Sequence, residues 1–222
     1  FKNKVKKVVA ISTDKAANPT STMGASKLLA ERLTVGADYY KGRLETTFSS
    51  VRFGNVLNSS GSVIPIFFEQ IKAGNPVTVT DKNMIRYFMT IPDAVELILK
   101  AAEIALGGEI FILKMPALKI IDLAQVMIEL LAKKPLPIKF TGKKSGEKLY
   151  EKIVTRTEAT QALELNDMYV LPLSIDYPTQ AENVVGKSYD YYKKLGGKPV
   201  PEEGVQPKQL LTKPEIKQLL IK

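Results

Sequence analysis

Val5-Lys6-Lys7-Val8-Val9-Ala10-Ile11-Ser12-Thr13-Asp14 is a β-branched apolar run that stops at three polar residues, the pattern of a buried strand ending in a polar loop. Lys15 to Ser21 contains Asn18-Pro19 and small polar residues, and reads as a loop that leads into a helix. From Thr22 to about Tyr40 the spacing of Leu28, Leu29, Leu33, Gly36, Tyr39 and Tyr40 predicts an amphipathic helix, capped by Ser21 or Thr22 and stopped at Lys41-Gly42. Thr46 to Arg52 reads as a second strand, followed by Gly54-Asn55 and a Ser/Gly loop at 58–62. Strand, helix and strand in this order form a βαβ unit, so a parallel sheet is expected.

The pattern continues outward. Ile64 to Ala73 reads as a helix closed by Gly74-Asn75-Pro76, and Val77-Thr78-Val79 as a short strand. Thr90-Ile91-Pro92-Asp93 is a helix start, with the helix running to about Ala105 before Gly107-Gly108. Ile110 to Leu113 reads as a strand, Ile121 to Leu131 as an amphipathic helix, and Ile138 to Phe140 as a last short strand. After about Leu173 the sequence is rich in Pro, Gly and Tyr and reads as looser, with one short helix at Pro214 to Ile221. The alternation predicts an α/β fold.

Composition narrows the chemistry. The chain of 222 residues has no Cys, His or Trp, which removes disulfides, thiol nucleophiles, Cys/His zinc sites and Ser-His-Asp triads. Catalysis would have to use Lys, Asp, Glu, Tyr, Ser or Thr, or a borrowed cofactor; no metal site is expected. No apolar run is long enough to span a membrane and no leader pattern opens the chain, so a soluble, cytoplasmic protein is expected. The net charge of +9 sits almost wholly in residues 1–7 and 187–222. The internal cluster Lys133, Lys134, Lys139, Lys143, Lys144 and Lys148 alternates with apolar residues and Gly, and reads as a solvated face. A nucleic-acid partner is therefore not expected.

Thr13, Asp14, Lys15, Met23 and Lys27 are the candidate reactive residues. They fall at a strand end, in the next loop and on the first turns of a helix, where parallel sheets bind ligands. Met23 and Lys27 are four apart and share a helix face. Asp14 and Lys15 could form an acid–base pair, although a turn with a helix cap would explain the same loop. Neither G-x-G-x-x-G nor a G-x-x-x-x-G-K-[ST] loop occurs.

The run from Ser12-Thr13-Asp14-Lys15-Ala16-Ala17-Asn18-Pro19 to Met23-Gly24-Ala25-Ser26-Lys27 closely resembles the extended short-chain dehydrogenases of the polysaccharide-biosynthesis group, the UDP-N-acetylglucosamine 4,6-dehydratases. Four further ordered blocks carry the same resemblance: Val51-Arg52-Phe53-Gly54-Asn55-Val56 with Ser59 to Pro65; Pro76 to Thr80 with Arg86 to Pro92; Gly108-Glu109-Ile110-Phe111; and Gly146-Glu147-Lys148-Leu149. The resemblance implies the C-terminal portion of a Rossmann-type doubly wound parallel sheet plus a smaller α/β substrate-binding region. It begins at about the family's fifth strand and leaves the glycine-rich cofactor loop without a counterpart. The expected layout is residues 1–62 as the remaining back of the cofactor sheet, 63–186 as the nucleotide-sugar region interleaved with the last sheet elements, and 187–222 as a loose basic tail.

Most of that superfamily has Tyr-x-x-x-Lys at the helix start, and Met23 occupies the Tyr slot here, as it does in a subgroup of the 4,6-dehydratases. A thioether has no proton to give, so the resemblance leaves proton transfer to Asp14 and Lys15. The implied reaction is an internal redox cycle in which C4 of the sugar is oxidised, water leaves from C6, and the hydride returns to C6. Asp14 would assist loss of the C6 hydroxyl and Lys15 would take the C5 proton, with Thr13 or Ser12 hydrogen-bonding near C4. Lys27 and Ser12, with Phe53, Gly54, Asn55 and Val56, would serve NAD or NADP. Asn55 and the helix start at Val63-Ile64 would meet the pyrophosphate of the UDP-sugar, Arg86 the diphosphate and Glu147 the ribose, with Val79 also on the substrate side. Alternatives are a C4 or C5 epimerase of the same fold and a cofactor-free UDP-sugar-binding module. The resemblance also implies a homo-oligomer, and this chain by itself is expected to be inactive.

Overall fold

The computed structural model describes residues 3–59, 61–172 and 182–221, the last stretch with side chains from residue 188 onward. In chain order the elements are β1 (Lys7–Thr13), α1 (Thr22–Tyr40), β2 (Thr47–Phe53), β3 (Asn55–Val56), α2 (Val63–Lys72) and β4 (Val77–Val79). Then come β5 (Ile85–Met89), α3 (Ile91–Ile104), β6 (Ile110–Leu113), β7 (Ala117–Lys119), α4 (Ile120–Leu131) and β8 (Ile138–Phe140). The chain continues with α5 (Arg156–Ala159), β9 (Leu163–Glu164), β10 (Met168–Leu171), α6 (Glu182–Lys194), β11 (Lys198–Pro199) and α7 (Lys213–Ile221).

Contacts divide the chain into two compact units rather than into consecutive segments. The first comprises Phe1–Phe53, Pro92–Lys114 and Lys152–Gln206, and the second Gly54–Ile91, Met115–Glu151 and Pro207–Lys222. In the first unit a six-stranded sheet runs β1-β2-β6-β10-β9-β11. Its first three strands are parallel, with Ile11 opposite Val51 and Val51 opposite Phe111, as the βαβ pattern predicts. The remaining strands are antiparallel, Met168 facing Leu113 in the β10–β6 pair. β1 bonds to β2 on one side and forms the sheet edge among the described residues, with Ile11 half exposed. Val51, Leu97, Ala101, Phe111, Leu163, Met168, Val170 and Tyr192 form this unit's core.

The expected stripe on α1 is only partly buried, through Gly36 and Leu28. Leu29 and Leu33 are 59% and 66% exposed and Tyr40 is exposed as well, whereas Gly24, Glu31, Val35 and Gly36 are buried. Two contacts turn the helix this way. A Cβ on Gly24 would stand 2.5 Å from the Lys15 carbonyl oxygen, so only glycine lets α1 pack this closely on the preceding loop. Glu31 is drawn inward by an ion pair with Arg52. The cap was legible: Ser21 Oγ accepts from the Gly24 N–H at 3.2 Å.

The expectation of a loose tail after 186 also needs correction. α6 lies across its start, and its Tyr192 is buried with the hydroxyl bonded to Glu109 at 2.9 Å and to the Ile104 carbonyl at 3.2 Å. One aromatic anchor per helix gives too weak a periodic signal to stand out in a Lys/Tyr-rich stretch. α7 matches the expected helix, and its Ile216 is fully buried in the second unit.

The second unit is built on α2, α4 and α7 with two small sheets, β3-β5-β7 and β4-β8. Its core gathers Ile64, Phe67, Ile71, Val77, Val79, Met84, Phe88, Leu118, Leu123 and Met127 around Ile216. β5 and β7, three to five residues long, pair antiparallel through Arg86 and Leu118 and are too short to declare themselves by alternation.

Candidate active site

In the first unit, β1 ends at Thr13 and a single 3-10 turn, Asp14–Ala16, follows it. The Asp14 side chain is fully buried, and its Oδ1 accepts from Lys15 Nζ and from Thr13 Oγ1, both at 2.9 Å. Its Oδ2 and the Oγ of the neighbouring Ser12 are buried without a hydrogen-bond partner. Buried polar atoms are normally paired, so this pocket of the turn holds two acceptors or donors in want of a ligand or water. Lys15 is part-exposed, the ammonium reaching inward to Asp14. On α1, Met23 is 48% exposed and Lys27 Nζ donates to the Ile11 carbonyl at 3.2 Å. Thr13, Asp14 and Lys15 thus form one bonded chain at the carboxyl end of β1, with Ser12 preceding it in the strand and Lys27 tied to the Ile11 carbonyl one residue before Ser12.

An Arg that sequence reasoning left unassigned supports this geometry. Arg52, near the end of β2, is fully buried and holds Glu31 of α1 in a two-pronged pair, Nε–Oε1 at 3.0 Å and Nη2–Oε2 at 2.7 Å. A second pair reaches Glu158 of α5 at 2.9 and 3.1 Å, and Nη1 also donates to the Ile153 carbonyl at 2.9 Å. Burial alone would lower the guanidinium's pKa; the charges of Glu158 and Glu31 more than offset it, and the value is raised. Burial pushes the Glu158 carboxyl upward, but the Arg52 charge overcomes that and lowers it. The sequence signal was an acid at the i+4 position from Lys27 on a helix facing a strand that carries an Arg.

A further buried acid of this unit, Glu109, pairs with no cation among the described residues. Its carboxylate accepts from the Leu106 and Gly107 N–H groups and from Tyr192, and burial raises its pKa despite those bonds.

In the second unit, Gly54 precedes β3, where a Cβ would meet Tyr87 Cβ at 2.7 Å. Asn55 Nδ2 donates to the Tyr87 carbonyl at 2.9 Å, so its amide braces β3 against β5; Val56 pairs with Met89. Phe53, the residue before this unit, is partly buried on the first unit's core. Val63 opens α2, and the Ser62 side chain at the cap position bonds no helix N–H. Ile64 and Val79 carry their side chains into the apolar core, and the Val79 carbonyl accepts from Thr141 N–H at 3.0 Å.

Arg86 departs from the expected free fork. Its guanidinium donates to the carbonyls of Ile85, Leu149 and Lys148 at 2.8, 3.1 and 2.9 Å and lies 3.5 Å from Glu147 Oε1. Glu147 Oε2 accepts from Lys144 N–H at 3.1 Å. The pair therefore shapes the 144–149 loop, the guanidinium bonding the Lys148 carbonyl and sharing the Leu149 carbonyl with the Ile85 N–H of β5.

The family described as polysaccharide biosynthesis protein matches residues 1–173. The chain belongs to that family. Similar proteins include the uncharacterized membrane protein MJ1061 of Methanocaldococcus jannaschii, 54% identical over 78% of this chain and 54% of that protein. The capsular polysaccharide biosynthesis protein CapD of Staphylococcus aureus is 50% identical over 69% of this chain and 26% of CapD. A UDP-glucose 4-epimerase of Rickettsia canadensis is 42% identical over 78% of this chain and 50% of the epimerase. The chain thus spans about half the length, or less, of these curated relatives. Among solved structures, Pen from Bacillus thuringiensis superposes with a TM-score of 0.85 at 43% identity, covering 99% of this chain and 63% of Pen. Further structures at 15–21% identity, with TM-scores of 0.52–0.58, share the Rossmann-type fold. Some of them were captured with NAD and a UDP-sugar. Among the described residues, no helix is long and apolar enough to cross a membrane.

Proposed function

We propose that this chain is the back portion of a nucleotide-sugar 4,6-dehydratase that converts UDP-N-acetylglucosamine to a 4-keto-6-deoxy sugar for polysaccharide assembly in the cytoplasm. The observation that carries the reading is the Thr13-Asp14-Lys15 chain beside Met23: a bonded acid and amine where the superfamily's Tyr would act, with a residue in the Tyr slot that holds no proton. NAD or NADP, held by Lys27 and Ser12, would supply the hydride chemistry between C4 and C6. The buried, unpartnered Ser12 Oγ and the Lys27 ammonium, which bonds a single carbonyl, fit a nicotinamide ribose. Phe53, Gly54, Asn55 and Val56 complete the cofactor side in this reading.

The chain's own residues manage protons. Thr13, with Ser12, orients the C4 oxygen. As C4 is oxidised its hydroxyl proton passes through Thr13 to the Asp14 carboxylate. A neutral Lys15 amine takes the proton from C5, whose acidity the C4 ketone raises, and Asp14 gives its proton to the departing C6 hydroxyl, which leaves as water. Lys15 returns its proton to C5 as the hydride adds at C6. The amides at Val63-Ile64 offer donors for a pyrophosphate at the start of α2, with Asn55, Arg86, Glu147 and the neighbourhood of Val79 shaping the loops around the UDP-sugar. The exposed Leu29, Leu33 and Tyr40 on α1 support a homo-oligomer formed on that helix.

Incubation of the intact protein with UDP-N-acetylglucosamine and NAD+ or NADP+, followed by mass spectrometry, tests the reaction. Loss of one water from the sugar is expected, and Asp14→Asn should abolish it while UDP-sugar binding persists. The 42% identity to a UDP-glucose 4-epimerase favours a second reading, inversion at C4. An unchanged mass with a changed C4 signal in the NMR spectrum would select it. Binding with neither change would select a UDP-sugar-binding module.

A further inference from the structure

The second unit carries a groove that takes no part in the proposed reaction. It has a volume of about 770 Å³ and runs between the C-terminal ends of α2 and α4, with Phe68, Ile71, Leu131 and Leu136 on its apolar walls. The only charged side chains lining it are Lys72, Lys133 and Lys134, all exposed. Lys72 lies in the last turn of α2, where a cation suits the helix dipole. Lys133 and Lys134 stand beyond α4, whose last N–H bond is closed by Ala132 in an extended conformation, so helix capping does not account for them. None of the three pairs with an acid among the described residues, and the nearest acids in sequence, Glu69 and Glu129, do not line the groove.

Soluble surfaces interleave the two signs of charge and keep large apolar side chains scattered. Here Phe68 and Leu131, 44% and 47% exposed, lie among three unpaired cations. Lys139 and Phe140 repeat the combination on β8, where both are exposed. Lysine stems can lie along apolar surface while their heads reach an anionic layer, and aromatic and leucine side chains enter the acyl boundary. We propose that this face of the second unit docks on an anionic lipid bilayer, with Lys72, Lys133 and Lys134 at the headgroups and Phe68 and Leu131 in the acyl boundary. Lys133 and Lys134 of the internal lysine cluster then belong to a docking face.

The test uses the whole chain and vesicles of phosphatidylcholine with or without phosphatidylglycerol. The protein should pellet with the anionic vesicles only, and less so as salt rises. Each basic residue near such a surface contributes about fivefold to partitioning, so the triple change Lys72→Gln, Lys133→Gln and Lys134→Gln should weaken it on the order of a hundredfold. The matched triple Lys193→Gln, Lys194→Gln and Lys198→Gln, in the first unit, should change it about twofold or less. Because the chain has no Trp, Phe68→Trp places a single reporter in the groove, and its emission should move to the blue on anionic vesicles. The proposal is overturned if the protein stays in solution, if the two triples lose binding equally, if the emission does not move, or if millimolar inorganic phosphate displaces the protein as well as added salt does.

Discussion

The two units are held together by different physics. The interior of the first contains Asp14, Glu31, Arg52 and Glu109, every one of them fully buried, whereas the second packs an unbroken apolar cluster around Phe67, Leu123 and Ile216 and admits Arg86 and Glu151 at its margin. Apolar packing is forgiving about direction, since many side-chain arrangements fill a similar volume. A buried ion pair is not, because a displaced charge loses its partner in a medium that offers no water. The unit that carries the candidate reactive residues is the one whose helix and strands are tied by charge, and Arg52 is the tie between α1 and β2.

Removing that tie should have the largest effect. Arg52→Met leaves Glu31 and Glu158 facing each other without a cation, and should cost about 3–5 kcal/mol in urea unfolding. Replacing Glu31 and Glu158 by Leu in the same protein should recover most of the loss. If Arg52→Met alone costs under about 1 kcal/mol, the contrast between the units is false. Leu123→Ala in the second unit should cost about 2–5 kcal/mol through a cavity, and no change of charge elsewhere should rescue it. Gly24→Ala drives a Cβ into the Lys15 carbonyl and should cost about 1–3 kcal/mol. In an active, full-length enzyme it should lower kcat more than it raises KM, because the Asp14–Lys15 turn is what must shift.

The smallest effect separates two buried acids within the first unit. Glu158 has a lowered pKa, so its contribution is held above the ordinary carboxylate value of about 4.3 and lost as pH falls through its folded value. Glu109 has a raised one, so its contribution is held below about 4.3 and lost as pH rises through its folded value. Urea midpoints across pH should therefore show the wild type losing stability just above pH 4.3 where Glu109→Gln does not. Both proteins should lose stability together in stronger acid.

Local periodicity carried much of this fold. The nineteen residues of α1, the parallel order of β1 and β2, and the ends of α2 and α4 follow from caps, glycines and β-branched runs that act over a few residues. The direction α1 faces did not follow, because it depends on Arg52 pairing with Glu31 and with Glu158, 106 positions away. Nor did the bonding of Arg86, which a sequence offers as a free cation until the carbonyls of Lys148 and Leu149 arrive beside it. Long-range pairing leaves no period to read. At the candidate site the Asp14–Lys15 bond was legible from adjacency, while the unpartnered state of Ser12 was not.

The position of β1 at the sheet edge bears on how the protein behaves in a tube. Among the described residues the outer side of β1 faces no further strand, so it is where one can add, from the protein's own chain or from another molecule. Lys6, at the start of the run, opposes stacking of copies by like-charge repulsion, while the Lys7 ammonium is held on the Ala105 carbonyl. Salt weakens that repulsion. Where that side stays open, association of copies should rise with ionic strength, and it should be lost once a further strand covers β1.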